Sequence, residues 1–390
     1  MLLFPASEYA ERLAKTKERM HEHGVEVLIV SHPANMNYLT GYDGWSFYVH
    51  QGLIVSLDCD EPIWFGREQD GNAARILTSL KEENIKGYPD HYVMSKLRHP
   101  MQFVADILRE RGWDARHVGV EMEGYYFTAE GFQTLRRELP KGVVKDGTLV
   151  VNLVRRIKSA REIEYVRQAA RIAENVMKTA LDVIAPGVRE NDAAAEVYKA
   201  QIAGTPEFGG DYTSLCPIMP SAERTSSAHL TWCADRKYRE GDIVLLELAG
   251  ARHHYHCPIS RTLFLGEPPA ELRKTADAVV KGLNETVAFI RPGVTAEAVE
   301  EKWRESIAGT GVHKPSRVGY SFGLNYPPDW GEQTLSLRPA DTTILQPGMC
   351  IHFMPGIWLK DFGFECSEPL VVTGSGCELF LNFERKLFVK

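Results

Sequence analysis

The sequence predicts two domains, an α/β domain over 1–155 and an α+β domain with internal twofold pseudo-symmetry over 156–390. Three observations point there. Strand-like and helical segments alternate through the first 150 residues, the pattern of an α/β layer structure. A long helical stretch, "VRRIKSAREIEYVRQAARIAENVMKTALDVI", then breaks that alternation and puts a boundary at about 154–160. Beyond it the chain repeats itself: "IAPGVRENDAAAEVYKAQIAG" (184–204) matches "IRPGVTAEAVEEKWRESIAG" (290–309). A length of 390 residues is also more than one ordinary core holds.

Taken in order, residues 7–23 read as an amphipathic helix, with Ser7 as N-cap and Glu8 and Glu11 in the first turn. "VEVLIVS" and "GLIVSLDCDEPIWF" read as strands. "GNAARILTSLKEE" and "PMQFVADILRERG" read as helices, and "HVGVEM" and "GTLVVN" as strands. In the long helix, Ile163, Val166, Ala170, Ala173 and Met177 keep the helical period. Each copy of the repeat has a long helix, a Pro-Gly-Val turn, a second helix ending in Ile-Ala-Gly, and strand-like sequence after it. Two such copies predict a cleft between half-domains, the natural place for a site.

Composition excludes several classes. The apolar share of 44% and charged share of 25% are those of a soluble globular protein. A net charge of -7 argues against nucleic acid as partner. Seven cysteines in no paired pattern suit a reducing cytoplasm. The start, "MLLFPASEYAERLAK", is not expected to be a signal peptide, and no apolar run is long enough for a membrane helix.

"VLLELAGARHHYHCPISRTLFLG" (244–266) raises the question of a metal site, with three histidines and a cysteine within 253–257. Read as one extended strand, it puts His254 and His256 on one face and His253 and Tyr255 on the other. At most two histidines then reach one ion, and no CxxC or HExxH companion is near.

These features together resemble the creatinase/prolidase/aminopeptidase P superfamily: a small mixed N-domain, the "RRIKSAREIEYVRQA" junction and the duplicated C-domain. The resemblance covers almost the whole chain. It implies a creatinase-like N-terminal α/β domain and a pita-bread C-terminal domain. In the family's peptidases two metal ions are bound through Asp, Asp, His, Glu and Glu. Here those positions fall on Glu247, Pro258, Tyr320 (in "GYSFG"), Met354 (in "GMCIHFMPG") and Ser367 (in "ECSEPLVVT"), the last flanked by Glu365 and Glu368. Only Glu247 keeps a carboxylate, proline cannot ligate, and methionine suits such ions poorly. The expectation is a metal-independent enzyme without cofactor.

The resemblance assigns the remaining roles. His229, in "SAERTSSAHLTW", takes the place of a family histidine that moves protons, and Glu247 is its catalytic partner. Tyr320, His352 and Glu365 are expected to face the cleft and bind substrate. In "NMNYLTGYDGWSFYVHQG" (35–52), Trp45, Phe47 and Tyr48, with Tyr42, are expected to form an aromatic wall for a small cation. That segment resembles the creatinase stretch that reaches the partner subunit's site, so a homodimer is expected. "NYPPDW" (325–330) adds an aromatic loop at the rim.

A cleft that lost cations and kept acids suits a substrate with its own positive charge. The family offers creatine and ectoine, a cyclic amidine bearing a carboxylate. Creatinase has an acid where this chain has Met354 and another where it has Ser260, and none at the Glu247 position. The implied reaction is therefore opening of ectoine to N-acetyl-diaminobutyrate. The alternatives are creatinase or another amidinohydrolase, a residual Xaa-Pro peptidase, and a metal-dead member serving as a protein-binding module.

Overall fold

Short apolar runs bounded by turn residues build the first layer of the protein. The computed structural model describes residues 2–390 and divides into two units, Met1–Arg155 and Arg156–Lys390. The first contains α1 (Ala6–Glu22), β1 (Val27–Val30), α2 (Pro33–Thr40), β2 (Gly52–Ser56), β3 (Ile63–Arg67) and α3 (Gly71–Leu77). It continues with β4 (Ile85–Tyr88), α4 (Pro100–Glu110), β5 (His117–Val120), α5 (Ala129–Glu138), β6 (Val143–Asp146) and α6 (Val150–Arg155). Its six strands run β4-β3-β2-β1-β5-β6, with β1, β2 and β3 antiparallel to their neighbours in that run and the outer pairings parallel. Val27, Ile29, Ile54, Phe65, Val104, Leu108, Val118 and Val120 form its core.

Three expectations for this unit are corrected. Ser7 is not the N-cap of α1: Pro5 holds that position with no side-chain bond, and the helix begins at Ala6. "GLIVSLDCDEPIWF" is not continuous but a pair of strands, β2 and β3, turning at the Asp-Cys-Asp stretch. "GTLVVN" is not a strand. The sheet edge is already taken by β6, Leu149 turns the chain at a φ of 63°, and Val150 and Val151 bury themselves in α6. A short apolar run serves a buried helix and a buried strand equally well, so periodicity could not separate them.

The second unit shows the duplication directly. Its elements are α7 (Ala160–Val183), α8 (Glu190–Ala203), β7 (Ile243–Arg252), β8 (Tyr255–Phe264), α9 (Ala270–Phe289), α10 (Ala296–Ser306), β9 (Gly319–Phe322), β10 (Gly331–Ser336), β11 (Cys350–Phe353), β12 (Ile357–Trp358), β13 (Gly363–Phe364), β14 (Glu368–Val372), β15 (Cys377–Leu379) and β16 (Leu387–Val389). Strands β16-β8-β7 form one sheet and β10-β9-β11-β14-β15 another. Ser159 caps α7 in a box with Glu162, which fixes the start of that helix.

The two repeats share backbone geometry as well as sequence. Gly187 and Gly293 turn at φ of 90° and 85°, conformations that glycine adopts without strain. Their N–H groups donate to the carbonyls of Tyr238 and Leu345, residues in matching positions before β7 and β11. Gly241 and Gly348, at φ of 87° and 89°, then lead into those strands. Counting on from these glycines, Glu247 and Met354 are equivalent. The equivalence extends to pairing: the Glu247 N–H donates to Ile218 and that of Met354 to Val318.

The stretch 244–266 is not one strand. His253 and His254, at φ of 51° and 60°, make a two-residue turn joining β7 to β8 in register from Ile243–Phe264 to Arg252–Tyr255. This is the backbone of a type I′ hairpin, which needs two left-handed residues, and histidine tolerates that region better than most. The face assignment for the three histidines therefore fails. His254 stacks on Tyr326 at 4.4 Å, and the buried His256 Nε2 accepts from the Ser214 N–H at 2.8 Å.

Candidate active site

Glu247 lies in the middle of β7, opposite Ser260 of β8, and is 5% exposed. The flanking Leu246 and Leu248 are buried too, so the strand carries its carboxyl into the half-domain rather than into water. Burial pushes that carboxyl well above the ordinary range, and Glu365 and Asp329 push it further.

Glu365 is held by Thr262 of β8. The threonine hydroxyl accepts from the Glu365 N–H at 2.8 Å and donates to its carbonyl at 2.9 Å. The carboxyl beyond is 1% exposed, and Oε1 has no hydrogen-bond partner. Burial raises it to about 7 despite the charge of Lys314. The fit is close: a side chain at Gly356 would come within 2.9 Å of Glu365 Cγ. Its sequence neighbour Glu368 goes elsewhere, into a buried 2.7 Å ion pair with Arg261. Of the two acids flanking Ser367, Glu365 is the one whose charge acts on Glu247.

A hydrogen-bonded chain forms the opposite wall. Tyr320 of β9 pairs with His352 of β11 in register. His352 Nδ1 lies 3.1 Å from the Tyr320 hydroxyl and Nε2 lies 2.7 Å from Ser367 Oγ. Trp330 Nε1 donates to the same tyrosine oxygen at 2.9 Å, and the Ser260 N–H donates to Ser367 Oγ at 2.8 Å. Burial, then Arg317 and Arg261, lower His352 to about 3, so the ring is neutral. A neutral imidazole donates once and accepts once. The chain thus has two proton orders, and only the order in which Ser367 donates to His352 leaves the Tyr320 proton free to point outward. Both ring nitrogens of His352 are engaged, one with Tyr320 and one with Ser367.

Two cations and one more acid complete the site, and the sequence reading missed all three. Lys314 is buried, donates to Gly356 O at 2.8 Å and Ser316 Oγ at 3.0 Å, and sits 4.6 Å from the Trp358 ring centre. Burial lowers it to about 8. The Arg317 guanidinium lies 4.4 Å over the Tyr320 ring. Asp329, in "NYPPDW", accepts from the Gly331 N–H at 2.9 Å and is raised by burial. The clue was "HKPSR", two bases just ahead of "GYSFG", where a charge so near a buried strand needs a reason. His229 is exposed in a turn after the short helical segment Ala222–Ser226, and its charge acts on Asp329.

The aromatic segment belongs to the first unit. Trp45 is 64% exposed and its ring lies 4.9 Å from Phe47, while Tyr48 is exposed and accepts from Arg67 at 3.3 Å. Tyr42 is not part of this wall. It is buried, 5.5 Å from Trp64, and donates to Gln51 Oε1 at 2.9 Å.

The comparisons agree with this architecture. Residues 12–157 match the Creatinase/Prolidase N-terminal domain and residues 164–374 match Metallopeptidase family M24. The chain belongs to this family. It is 43% identical to a protein of Halomonas elongata named ectoine hydrolase, over 100% of this chain and 99% of that protein. An uncharacterized hydrolase/peptidase of Sinorhizobium fredii is 44% identical over 100% and 99%. The crystal structure of a prolidase from Thermococcus sibiricus superposes with a TM-score of 0.83 at 21% identity, covering 99% and 100% of the chains, and shares the pita-bread fold.

The family name raises the question of a metal, and the residues present do not fit one. The Pro258 side chain has no donor atom. The Met354 thioether packs with Ala249, Tyr320 and Trp330. The hydroxyls at 320 and 367 are both engaged with His352. Among the described residues no three of His, Cys, Asp or Glu are grouped to hold an ion.

Proposed function

We propose that this chain hydrolyses a cyclic amidine, ectoine, to N-acetyl-diaminobutyrate. One observation carries the reading: Glu247 and Glu365 are both buried, the charge of Glu365 acts on Glu247, and neither is in an ion pair among the described residues. Burial raises both carboxyls and Glu365 raises Glu247 further, which destabilises the empty site. An amidinium between them restores the balance. The identity to the Halomonas elongata enzyme supports the same substrate.

In this reading the amidinium enters as a cation, and both acids ionise against it. Glu247 delivers oxygen to the methyl-bearing carbon, either its own or that of a water it deprotonates. A C–O bond forms and the amidinium charge is cancelled. The ring C–N bond then breaks, and the departing nitrogen takes a proton from His229. Where Glu247 itself attacked, water releases it. The sum is one water consumed, one amide and one amine formed, with no oxidation. Tyr320, oriented by His352 and Ser367, donates to the nitrogen that stays in the amide. The same reading takes the enzyme as a cytoplasmic homodimer acting on a small molecule without metal or cofactor, with Trp45, Phe47 and Tyr48 serving a site.

The test is direct. Purified protein is incubated with ectoine and, separately, with creatine, and products are followed by mass spectrometry and proton NMR. N-acetyl-diaminobutyrate from ectoine is expected. Sarcosine and urea from creatine, with ectoine intact, would select the amidinohydrolase alternative instead.

A further inference from the structure

The acids of the site explain how a positive group is received but say nothing of a negative one. Arg317 lies between α10 and β9, half-buried, with its guanidinium over the face of Tyr320. No carboxylate pairs with it among the described residues. Its neighbour Lys314 is different: that ammonium is consumed by Gly356 and Ser316. Asp329, an acid on which the charge of Arg317 acts, is bonded to the backbone of its own loop. Stacking on a ring uses the flat face of a guanidinium and leaves its N–H edge free, and that edge matches a carboxylate in two parallel bonds. Arg317 also acts electrostatically on Tyr320 and His352, and Glu247 acts on the same tyrosine, so Tyr320 links the guanidinium to the acids.

We infer that Arg317 is the seat for a carboxylate of the substrate, which makes the substrate class an amidine acid: cationic end on Glu247 and Glu365, anionic end on Arg317. The inference rests on the functional reading above and adds a specificity determinant to it. A ring lying between these poles is fixed end to end, so Arg317 selects against neutral-tailed amidines of the same shape.

The experiment compares ectoine with the same methylated ring lacking its carboxylate. Wild type, Arg317→Met and Arg317→Lys are measured for kcat, KM and calorimetric binding, with thermal melts to confirm folding. Methionine keeps an apolar stem over Tyr320 and removes the charge. A charge-assisted pair predicts that Arg317→Met raises KM and Kd for ectoine roughly 10- to 100-fold, with kcat changed far less. The ring without carboxylate should change less than about 3-fold, and Arg317→Lys should recover part of the loss, as a point charge does. Equal losses on both compounds would mean a packing role and overturn the inference, as would an unchanged ectoine KM. If wild type turns over no ectoine, the functional reading falls. The seat then stands only if ectoine still binds more tightly than the bare ring in an Arg317-dependent way, and it falls if neither compound binds.

Discussion

Glu365→Gln should make this protein more stable, by an amount that grows as pH rises from about 4.5 and is full above about 7. The side chain is 1% exposed and one of its oxygens has no partner. Burial moves its pKa from the ordinary 4.5 to about 7. Between those values the unfolded chain has lost the proton and the folded chain has kept it. Stability therefore falls as pH rises through that window, and the full penalty is present above about pH 7. At about 1.4 kcal/mol per pH unit the gap is worth about 3 kcal/mol. For a unit of this size each kcal/mol shifts the melting temperature by about 2–4 °C, so the neutral amide should melt roughly 6–12 °C higher at pH 8. At pH 5 the wild-type carboxyl is already protonated and the two melting curves should nearly coincide. Circular dichroism melts of both proteins at the two pH values decide it. An offset equal at pH 5 and pH 8, or a less stable variant at pH 8, refutes the reasoning. The same variant should lose turnover, since an acid kept at such a cost is kept for chemistry.

Four further outcomes are expected. Glu247→Gln should bind ectoine but barely turn it over, while His229→Ala should lose roughly 10²–10⁴-fold in kcat with a smaller change in KM; wild-type turnover in Glu247→Gln would remove that residue from the mechanism. Activity should survive EDTA, and elemental analysis should find well under about one transition ion per chain; stoichiometric zinc or manganese with activity lost on chelation contradicts the donor-set argument. Binding of the cationic substrate should release between about one and two protons at pH 7, because it lowers the raised pKa values of Glu247 and Glu365; calorimetry in buffers of different ionisation enthalpy would show this, and an identical heat in all of them would oppose it. Lys158→Met removes the cation of the buried Lys158–Glu332 pair and should cost about 3–5 kcal/mol in urea unfolding; Lys158→Met with Glu332→Met should recover much of that, and no recovery would mean that packing dominates.

The parts of the fold legible in the sequence are those set by punctuation and period. The repeated Pro-Gly-Val turns needed glycines at positive φ, and Ser159 with Glu162 announced the start of α7. Alternation of strands and helices carried the class of the first unit and most of its elements up to β5, but did not reveal α2, β4, α5 and β6. What the sequence hid was the outcome of competition between neighbours. "GTLVVN" became α6 because β6 already occupied the sheet edge. The two histidines of "HHYH" became a turn because ten-residue strands on either side chose the register, and histidine is not the residue a hairpin signal looks for. In the site, Glu247 could be placed by strand period, whereas Glu365 lies between β13 and β14 and is positioned by its bonds to Thr262. Lys314, Arg317 and Asp329 lie in loops, where no period assigns direction, so only the coordinates bring them to the acids.

The equivalence of Glu247 and Met354 has a consequence for how such sites change. Both residues arrive by the same backbone route, after a matching glycine turn and beside a matching paired strand. The scaffold presents each half's side chain independently of what that side chain is. An acid can therefore be kept in one half while a thioether replaces its counterpart in the other, with neither strand having to move. A duplicated domain of this kind works as two sockets of one pattern, in which chemistry is rewritten one residue at a time. Met354→Glu would be the shortest step back towards a symmetric acidic cradle.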